Sequence, residues 1–243
     1  MGRTAIFGAS GTIGSVLARR LAAQGQNLLL IGRSSEKLAT ISSEIGQPYL
    51  TLDFQSSQPL EDALREDASQ RGAFSAIVNC IGSVLLKPAH STTDEEFRRV
   101  VETNLFTSFA AVRTGGKLLR ESGGSIILFA SAAAEIGIQN HEAIAAAKAG
   151  VIGLARSAAA TYAPSNIRIN VISPGLIRTE MTRRIWENPA AALASTAMHA
   201  LGRLGTPEHV ASLAEWLLSP ENDFVTGQVI GVDGGLGHLL ARR

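Results

Sequence analysis

Residues 3–14 of the chain read RTAIFGASGTIG. The apolar run at 3–7 has the length and composition of a buried strand, and residues 12–24 repeat apolar side chains at helical spacing. Gly8 and Gly11 lie between these two segments, where the chain has to turn sharply, and Gly14 lies in the first turn of the second segment. This stretch therefore predicts a strand, a tight turn and a helix in direct succession.

The same alternation of apolar strand and amphipathic helix continues to the end of the chain. Further strands are predicted at 28–31, 49–53, 76–80, 125–129, 168–172 and 228–232, and further helices at 36–45, 60–70, 94–119, 142–161 and from the cap Thr206 through 218. Apolar strands that alternate with helices predict a parallel sheet covered on both faces. We expect one Rossmann-type, doubly wound α/β domain over residues 1–243, with three layers and a seven-stranded parallel sheet.

Composition narrows the class of protein without naming its chemistry. The 22 basic and 21 acidic residues leave a net charge of +1, which gives no reason to expect nucleic acid or an anionic membrane as a partner. The single cysteine, Cys80, excludes an intramolecular disulfide and suits a reducing compartment. No secretory signal and no apolar stretch of about 20 residues is evident. We expect a soluble cytoplasmic protein without a metal site.

The glycine-rich turn has a chemical reading because of its place between strand and helix. Glycines let backbone N–H groups approach a pyrophosphate, and the positive end of the following helix favours its negative charge. An ordinary tight turn is the alternative reading. The predicted dinucleotide contacts come from Gly8, Ser10, Gly11, Thr12, Ile13 and Gly14.

The end of the second predicted strand bears on which dinucleotide binds. It reads Gly32-Arg33-Ser34-Ser35 and has no carboxylate of the kind that holds the ribose 2′-hydroxyl of NAD. Arg33 with Ser34 suits a 2′-phosphate, although a solvated surface arginine would look the same. NADP is therefore the predicted cofactor, and NAD stays possible.

Taken together, these motifs resemble the short-chain dehydrogenase/reductase family, in particular its branch of 3-ketoacyl-carrier-protein reductases. The resemblance runs from about residue 3 to residue 235, although Thr12 stands where a middle glycine is usual. Segments 79–82, 173–179 and 225–235 are similar to later motifs of the family. The resemblance implies further cofactor contacts from Asp53, Asn79, Gly82, Lys148, Pro174, Gly175, Ile177 and Thr179.

The resemblance also implies a catalytic set, of which one member is missing. Asn104, Ser131 and Lys148 match the family's asparagine, serine and lysine. The tyrosine that protonates the substrate should lie thirteen residues after the serine and four before the lysine, and both spacings lead to Ile144. Isoleucine cannot donate a proton, and such a proton transfer contributes about 10²–10⁴-fold to a rate. The usual mechanism therefore lacks its main acid.

No other tyrosine is placed to repair the gap. Tyr49 lies in a predicted strand far from the motif, and Tyr162 follows Lys148 at the far end of the same helix. An alignment shift does not change this result.

Three readings of Ile144 remain open. In the first, His141, seven residues before Lys148 and so on the same helix face, acts as a displaced acid, the alternative being a solvated loop histidine. In the second, Lys148 and a water molecule, assisted by Ser131, serve a substrate that forms a stabilised anion, such as an enoyl thioester. In the third, the protein binds dinucleotide without turnover, as a redox sensor or as the silent partner of an active subunit. Carbonyl or enoyl reduction is the favoured function.

The segment 176–204 is expected to form an inserted lid over the substrate, as in the family. Its apolar side chains, among them Met181, Ile185 and Trp186, suit an acyl or hydrophobic small molecule, although a packed helical insertion would look the same. The resemblance also implies a homo-oligomer, most often a tetramer.

Overall fold

A parallel sheet forms the middle of the molecule. The computed structural model describes residues 2–54 and 56–240, so the ends of the predicted domain, residue 1 and residues 241–243, lie outside the described residues. The strands have the spatial order β3-β2-β1-β4-β5-β6-β7, and every neighbouring pair is parallel. Their bounds are β1 Arg3–Phe7, β2 Leu28–Gly32, β3 Tyr49–Thr51, β4 Phe74–Asn79, β5 Gly124–Phe129, β6 Ile167–Pro174 and β7 Val229–Val232.

Helices cover both faces of this sheet. Their bounds are α1 Thr12–Ala23, α2 Ser35–Ile45, α3 Ser57–Arg71, α4 Asp94–Val101, α5 Thr107–Leu118, α6 Glu142–Tyr162, α7 Arg183–Trp186, α8 Pro189–Met198 and α9 Pro207–Leu218. One apolar cluster joins the sheet to α3, α5 and α6, and a second joins the opposite face to α1, α2 and α9. The predicted three-layer, doubly wound fold with seven parallel strands is therefore confirmed.

The sheet reverses its order of construction between β1 and β4. From β1 the chain adds β2 and β3 on one side, and then crosses to add β4 through β7 on the other. Loops that leave β1 and β4 at their carboxyl ends diverge there and leave a crevice, which is where open α/β sheets bind their ligands. The glycine-rich turn directly after β1 lies at this position.

Several boundaries differ from those predicted, and three of these differences bear on the site. The third strand ends at Thr51 rather than at residue 53, and α3 begins at Ser57 rather than at 60. The single helix predicted over 94–119 is α4 and α5 joined by a π-helical segment, Glu102–Phe106. A π segment widens the turn and leaves an i−4 carbonyl to find another partner, and apolar periodicity does not reveal this.

Helix α6 also differs from expectation. With the turn that follows it, over residues 142–165, it is long and apolar enough to cross a membrane by length and composition alone, whereas no such stretch was expected. Within the protein, 44% of the apolar window is buried, and Val151, Ala155 and Ala158 join the main core. A core helix of this kind passes the same test, so the finding is weak evidence for a membrane span.

Candidate active site

The turn after β1 is shaped to receive a phosphate group. Gly8 has φ +73°, a conformation that favours glycine. A Cβ on Gly14 would lie 2.4 Å from the Gly8 carbonyl oxygen, so only glycine lets α1 approach the turn this closely. No side chain caps the N-terminus of α1, and its first turn has no acidic residue. Free N–H groups and an uncompensated helix dipole therefore face the crevice, and these residues fit a dinucleotide pyrophosphate.

Basic side chains lie near the end of β2, where the adenosine half of a dinucleotide would bind. Arg33 is exposed directly after the strand, and the Ser34 hydroxyl caps α2 by accepting from the Lys37 amide. Lys37, which the sequence analysis did not single out, lines the crevice. It is one helical turn beyond Ser34 and offers a second cation for a phosphate.

Five of the predicted cofactor residues do not line the main cavity: Gly8, Arg33 and Ser34, described above, and Asp53 and Asn79. Asp53 is exposed two residues beyond the end of β3. Asn79 is buried: its Oδ1 accepts from the Ile81 amide, and its Nδ2 donates to Thr107 Oγ1 and Ser108 Oγ, 3.2 Å each. The Asn79 side chain thus links the end of β4 to α5 by hydrogen bonds. A direct contact of either residue with the cofactor stays a prediction.

A cavity of about 410 Å³ continues from the glycine-rich turn to the lid segment. It brings together most of the predicted site, namely Ser10, Gly11, Thr12, Ile13, Gly14, Gly82, Asn104, Ser131, His141, Ile144, Lys148, Pro174, Gly175, Ile177 and Thr179. Apolar side chains from four separate parts of the chain line the remainder, among them Val84, Leu86, Ile138, Met181, Ile185, Met198 and Leu236. The part of the cavity beyond the cofactor crevice therefore suits a ligand with an apolar chain.

Lys148 is the one ammonium buried in this cavity among the described residues. Its side chain is 6% exposed, and Nζ donates to the Phe129 carbonyl oxygen at 2.8 Å. Burial lowers the pKa of Lys148 to about 8, and the nearby Cys80 opposes the shift. The two remaining N–H groups of Lys148 have no protein acceptor among residues 2–54 and 56–240. Lys148 can thus donate hydrogen bonds to a ligand, and its ammonium group loses its proton near pH 8.

Asn104 occupies the π segment and is fully buried. Its Oδ1 accepts from the Ser83 amide at 3.1 Å, and its Nδ2 donates to the Val100 carbonyl and to Ser83 Oγ, 2.9 Å each. The bond to Val100 satisfies the carbonyl four residues earlier, which the widened turn would leave open. Asn104 thus stabilises the irregular turn and also holds Ser83 at the cavity wall.

Ser131 follows β5 at the cavity. Its Oγ accepts from the Ala133 amide at 3.2 Å, so its own hydroxyl hydrogen is free to point toward a ligand. The geometry is compatible with both roles considered for this serine, a strand-ending hydrogen bond and a donor to a substrate oxygen.

Ile144 lines the cavity one helical turn before Lys148. Its side chain is 4% exposed and packs in a small cluster with Val100, Ala143 and Ala147. Neither tyrosine lies in the cavity, since Tyr162 packs against Gly116 of α5 and Tyr49 is on the edge strand β3. The wall beside Lys148 is therefore apolar at the position where the resemblance implies an acid.

His141 lies at the start of α6 and lines the same cavity. Its Nδ1 is 2.7 Å from the Gln139 carbonyl oxygen, which can only accept, so Nδ1 carries a proton. In the neutral ring, Nε2 is then an acceptor. His141 can give a proton to a ligand only as the imidazolium ion.

The lid segment is tied to the crevice at several points. The Glu180 amide donates to Thr12 Oγ1 at 3.3 Å, so the residue that departs from the family's glycine motif joins the turn to the lid. Trp186 Nε1 donates to the Thr179 carbonyl at 2.9 Å. His199, buried at the end of α8, was not singled out from the sequence. Its Nε2 accepts from the Leu176 amide at 3.1 Å, and its Nδ1 lies 2.6 Å from the Ser195 carbonyl.

No cluster of three or more metal-ligating side chains was found among residues 2–54 and 56–240. Ser83, Lys37 and His199 are the functional candidates that sequence reasoning missed. Serine, lysine and histidine at single positions carry no pattern, and only the spatial neighbours of these three residues single them out.

Comparison with known proteins agrees with this geometry. A family model described as enoyl-(acyl carrier protein) reductase matches residues 8–237. The 3-oxoacyl-[acyl-carrier-protein] reductase of Mus musculus is 32% identical over 238 residues, which cover 96% of both chains. Carbonyl reductase family member 4 of Xenopus tropicalis is 31% identical with the same coverage.

Solved structures give the same result. A short-chain type dehydrogenase/reductase from Mycobacterium ulcerans has a TM-score of 0.92 at 30% identity, covering 97% of this chain and 90% of that chain. A variant of actinorhodin polyketide ketoreductase, solved with NADPH, has a TM-score of 0.88 at 28% identity and covers 98% of both chains. The chain belongs to the short-chain dehydrogenase/reductase family, and the resemblance seen in its motifs is confirmed.

Proposed function

We propose that this chain is an NADPH-dependent oxidoreductase that reduces an activated carbon–carbon double bond, such as that of an enoyl thioester. The observation that carries the proposal is the wall beside Lys148, where buried Ile144 leaves no acidic hydroxyl for a carbonyl reduction. An enoyl substrate needs no strong acid at its oxygen, because the charge that develops there is stabilised within the thioester.

The cofactor assignment rests on the crevice and on one relative. The glycine turn fits a pyrophosphate, and Arg33 and Lys37 supply two cations near the end of β2 with no carboxylate in the segment 32–35. The actinorhodin ketoreductase, 28% identical, was solved with NADPH. When bound, NADPH supplies a hydride to the β-carbon of the substrate.

The residues of the chain then complete the reduction. As the hydride adds, the electron pair of the double bond moves toward the thioester oxygen, where the Ser131 hydroxyl donates a hydrogen bond. The ammonium of Lys148 provides the proton that reaches the α-carbon, through a water molecule, and is restored from solvent. Because its pKa is about 8, Lys148 is protonated at neutral pH and close to its acid–base midpoint. The apolar cavity wall holds the acyl chain and limits access of water.

Purified protein would be assayed for NADPH oxidation with paired enoyl and 3-ketoacyl thioesters of equal chain length. We expect turnover with the enoyl member and at least about 100-fold less with the ketoacyl member. Ser131→Ala and Lys148→Met should each abolish most of the activity, whereas His141→Ala should leave most of it. A large loss in His141→Ala would instead identify His141 as the displaced acid. Tight NADP binding without turnover on either substrate would contradict the proposal.

A second candidate is a dinucleotide-binding protein without turnover. One observation favours it: Asn104, Ser131 and Lys148 all make hydrogen bonds within the fold, so their presence does not require catalysis. In that case NADP binding would alter a contact with an active relative. Co-purification of such a relative, with no activity in the isolated chain, would support this candidate.

We also propose an assembly and a cellular location. Phe97 on α4, Phe109 on α5 and Leu240 in the tail are exposed, which suits a homo-oligomer, with a tetramer as the expected form. Light scattering of the purified chain would measure the mass of the assembly. A cytoplasmic location agrees with the single unpaired Cys80, and fractionation of cells would test it.

A further inference from the structure

Ser83 is a cavity residue that neither the motifs nor the proposed mechanism uses. It follows β4 by four residues and lines the same cavity as Lys148, Ser131 and Ile144. Because Val78 of β4 pairs with Ile127 of β5, the loops that carry Ser83 and Ser131 leave the sheet from neighbouring strand ends.

The side-chain orientation of Asn104 is fixed by two partners whose roles are unambiguous. The Ser83 amide can only donate, so Oδ1 of Asn104 faces it, and the Val100 carbonyl can only accept, so Nδ2 faces that group. The same Nδ2 therefore donates to Ser83 Oγ at 2.9 Å. Asn104 thus holds Ser83 by both its backbone and its hydroxyl.

This arrangement determines what the Ser83 hydroxyl can do. Its oxygen already accepts from Asn104, so its hydrogen is left to donate elsewhere. Within the described part of the chain, residues 2–54 and 56–240, no protein group accepts that hydrogen. A donor held in this way at a cavity wall needs no reorganisation to bind a ligand oxygen.

Gly82 keeps this donor close to the buried ammonium. A Cβ at Gly82 would lie 3.2 Å from Asn104 Oδ1 and 3.6 Å from Lys148 Nζ. The missing side chain therefore lets the Asn104–Ser83 pair and Lys148 share one corner of the cavity. Ile144 lines the same cavity, one helical turn from Lys148.

We propose that the Ser83 hydroxyl, oriented by Asn104, donates a hydrogen bond to the substrate oxygen that becomes negatively charged, beside the Ser131 hydroxyl. This inference rests on the proposed function, since it deepens the account of the same site. No bond is made or broken at Ser83. The Ser83 hydroxyl stabilises the negative charge on the substrate oxygen, which a tyrosine at position 144 would neutralise by giving a proton.

Ser83→Ala removes the hydroxyl and keeps the backbone bond to Asn104, whereas Ser83→Thr keeps both. With an enoyl thioester and NADPH, we expect kcat to fall about 100-fold in Ser83→Ala and to recover largely in Ser83→Thr. Ser157→Ala, the same atomic change on the exposed side of α6, is the control and should leave kcat unchanged. In an Ile144→Tyr background, Ser83→Ala should cost carbonyl reduction less than about tenfold, because the tyrosine neutralises the charge.

A second readout separates this inference from the proposed function. The dissociation constant of the saturated acyl thioester, measured with NADP⁺ present, should rise about fivefold in Ser83→Ala and not in Ser83→Thr or Ser157→Ala. If the native chain has no turnover, the proposed function fails, and this binding measurement still decides the role of Ser83. Unchanged binding in Ser83→Ala, or an equal loss in the Ala and Thr variants, would overturn the inference.

Discussion

At the scale of single residues, the chemistry of the site depends on how Lys148 is held. Burial removes water from its ammonium group, and the single hydrogen bond to a carbonyl oxygen does not compensate for the lost hydration. The pKa of Lys148 therefore falls from 10.5 to about 8. The neighbouring Cys80 thiol responds oppositely, since loss of water raises its pKa to about 12 against the effect of the Lys148 charge. Both shifts keep the interior uncharged as pH rises, and both predict how stability depends on pH.

Because of Lys148, the unfolding free energy of the protein should rise between pH 8 and pH 9. In this window the folded chain has released a proton that the unfolded chain still binds, so the unfolding free energy rises with pH. The thiol of Cys80 contributes only above its usual value of 9.0, where its raised pKa has the opposite effect. Denaturant unfolding should show a gain of about 1 kcal/mol over this unit of pH, relative to Lys148→Met. An equal pH dependence in both proteins would contradict the pKa assigned to Lys148.

Replacing Ile144 by tyrosine should create carbonyl reductase activity. Ile144 lies at the cavity, so a larger ring can extend into open space and bring its hydroxyl near Lys148. We expect the rate with a 3-ketoacyl thioester to rise at least about 100-fold. Ile144→Phe adds the same ring without the hydroxyl and should gain nothing. An equal gain in the Phe variant would show that shape, rather than proton donation, limits the native chain.

Site residues that belong to a motif of fixed spacing could be predicted from the sequence. Site residues that are recognised only by their neighbours in space could not. The family resemblance assigned Ser131 and Lys148, the motif spacing from them led to Ile144, and the structure brings all three to one cavity. The link between Asn104 and Ser83 joins positions 21 residues apart through a π segment that has no sequence signature. Whether these residues catalyse a reaction is a matter for experiment, since spacing predicts position and not turnover.

At the scale of elements, His199 connects the lid to the cofactor crevice. Its two ring nitrogens join the Ser195 carbonyl of α8 to the Leu176 amide, which follows β6. A Cβ on Gly175 would lie 2.6 Å from Nε2, so a glycine there lets the ring approach. The lid is therefore anchored by a buried side chain rather than lying loosely over the cavity.

His199→Ala should loosen this connection. Two partly buried backbone groups would lose their partners, and we expect the unfolding free energy to fall by about 1–2 kcal/mol and KM for the substrate to rise. His199→Gln can restore the bond to Leu176 and should recover part of both losses. Urea unfolding and steady-state kinetics would measure these effects. If His199→Ala kept the native stability and KM, the connection would be unimportant.

The alternation of strands and helices was predictable because each element has to bury one face against the sheet. Irregular features were not predictable in the same way. The π segment at residues 102–106 keeps the apolar spacing of a helix, and the short β3 ends before the polar Asp53 because it is an edge strand with one neighbour. Periodicity reports burial, so it misses changes that leave burial unaltered.

At the scale of the whole molecule, the order of strands places the cofactor crevice and the substrate cavity side by side. The carboxyl ends of β1, β4, β5 and β6 all open toward the cavity of about 410 Å³. Sequence motifs predicted the crevice because its glycines are required by backbone geometry. The apolar wall comes from four distant segments of the chain, so its shape could be seen only in the complete fold.

Cofactor preference is a property of the crevice as a whole. Arg33→Ala and Lys37→Ala should each weaken NADP binding about tenfold, because each removes a cation near the 2′-phosphate. NAD binding should be almost unchanged in both variants. Arg156→Ala, which removes an exposed arginine on α6, is the control and should leave the binding of both cofactors unchanged. Titration calorimetry would compare the two cofactors. Equal losses for NADP and NAD would show that these residues do not read the 2′-phosphate.

The proposed site promotes hydride transfer to an activated double bond without a tyrosine. This transfer is tested most directly by incubating the native chain with an enoyl thioester and NADPH deuterated at the transferred position, and by locating the label in the product. If the hydride is transferred to the β-carbon as proposed, the saturated thioester will carry one deuterium at that carbon. Unlabelled product, or no product while NADPH remains tightly bound, would contradict it.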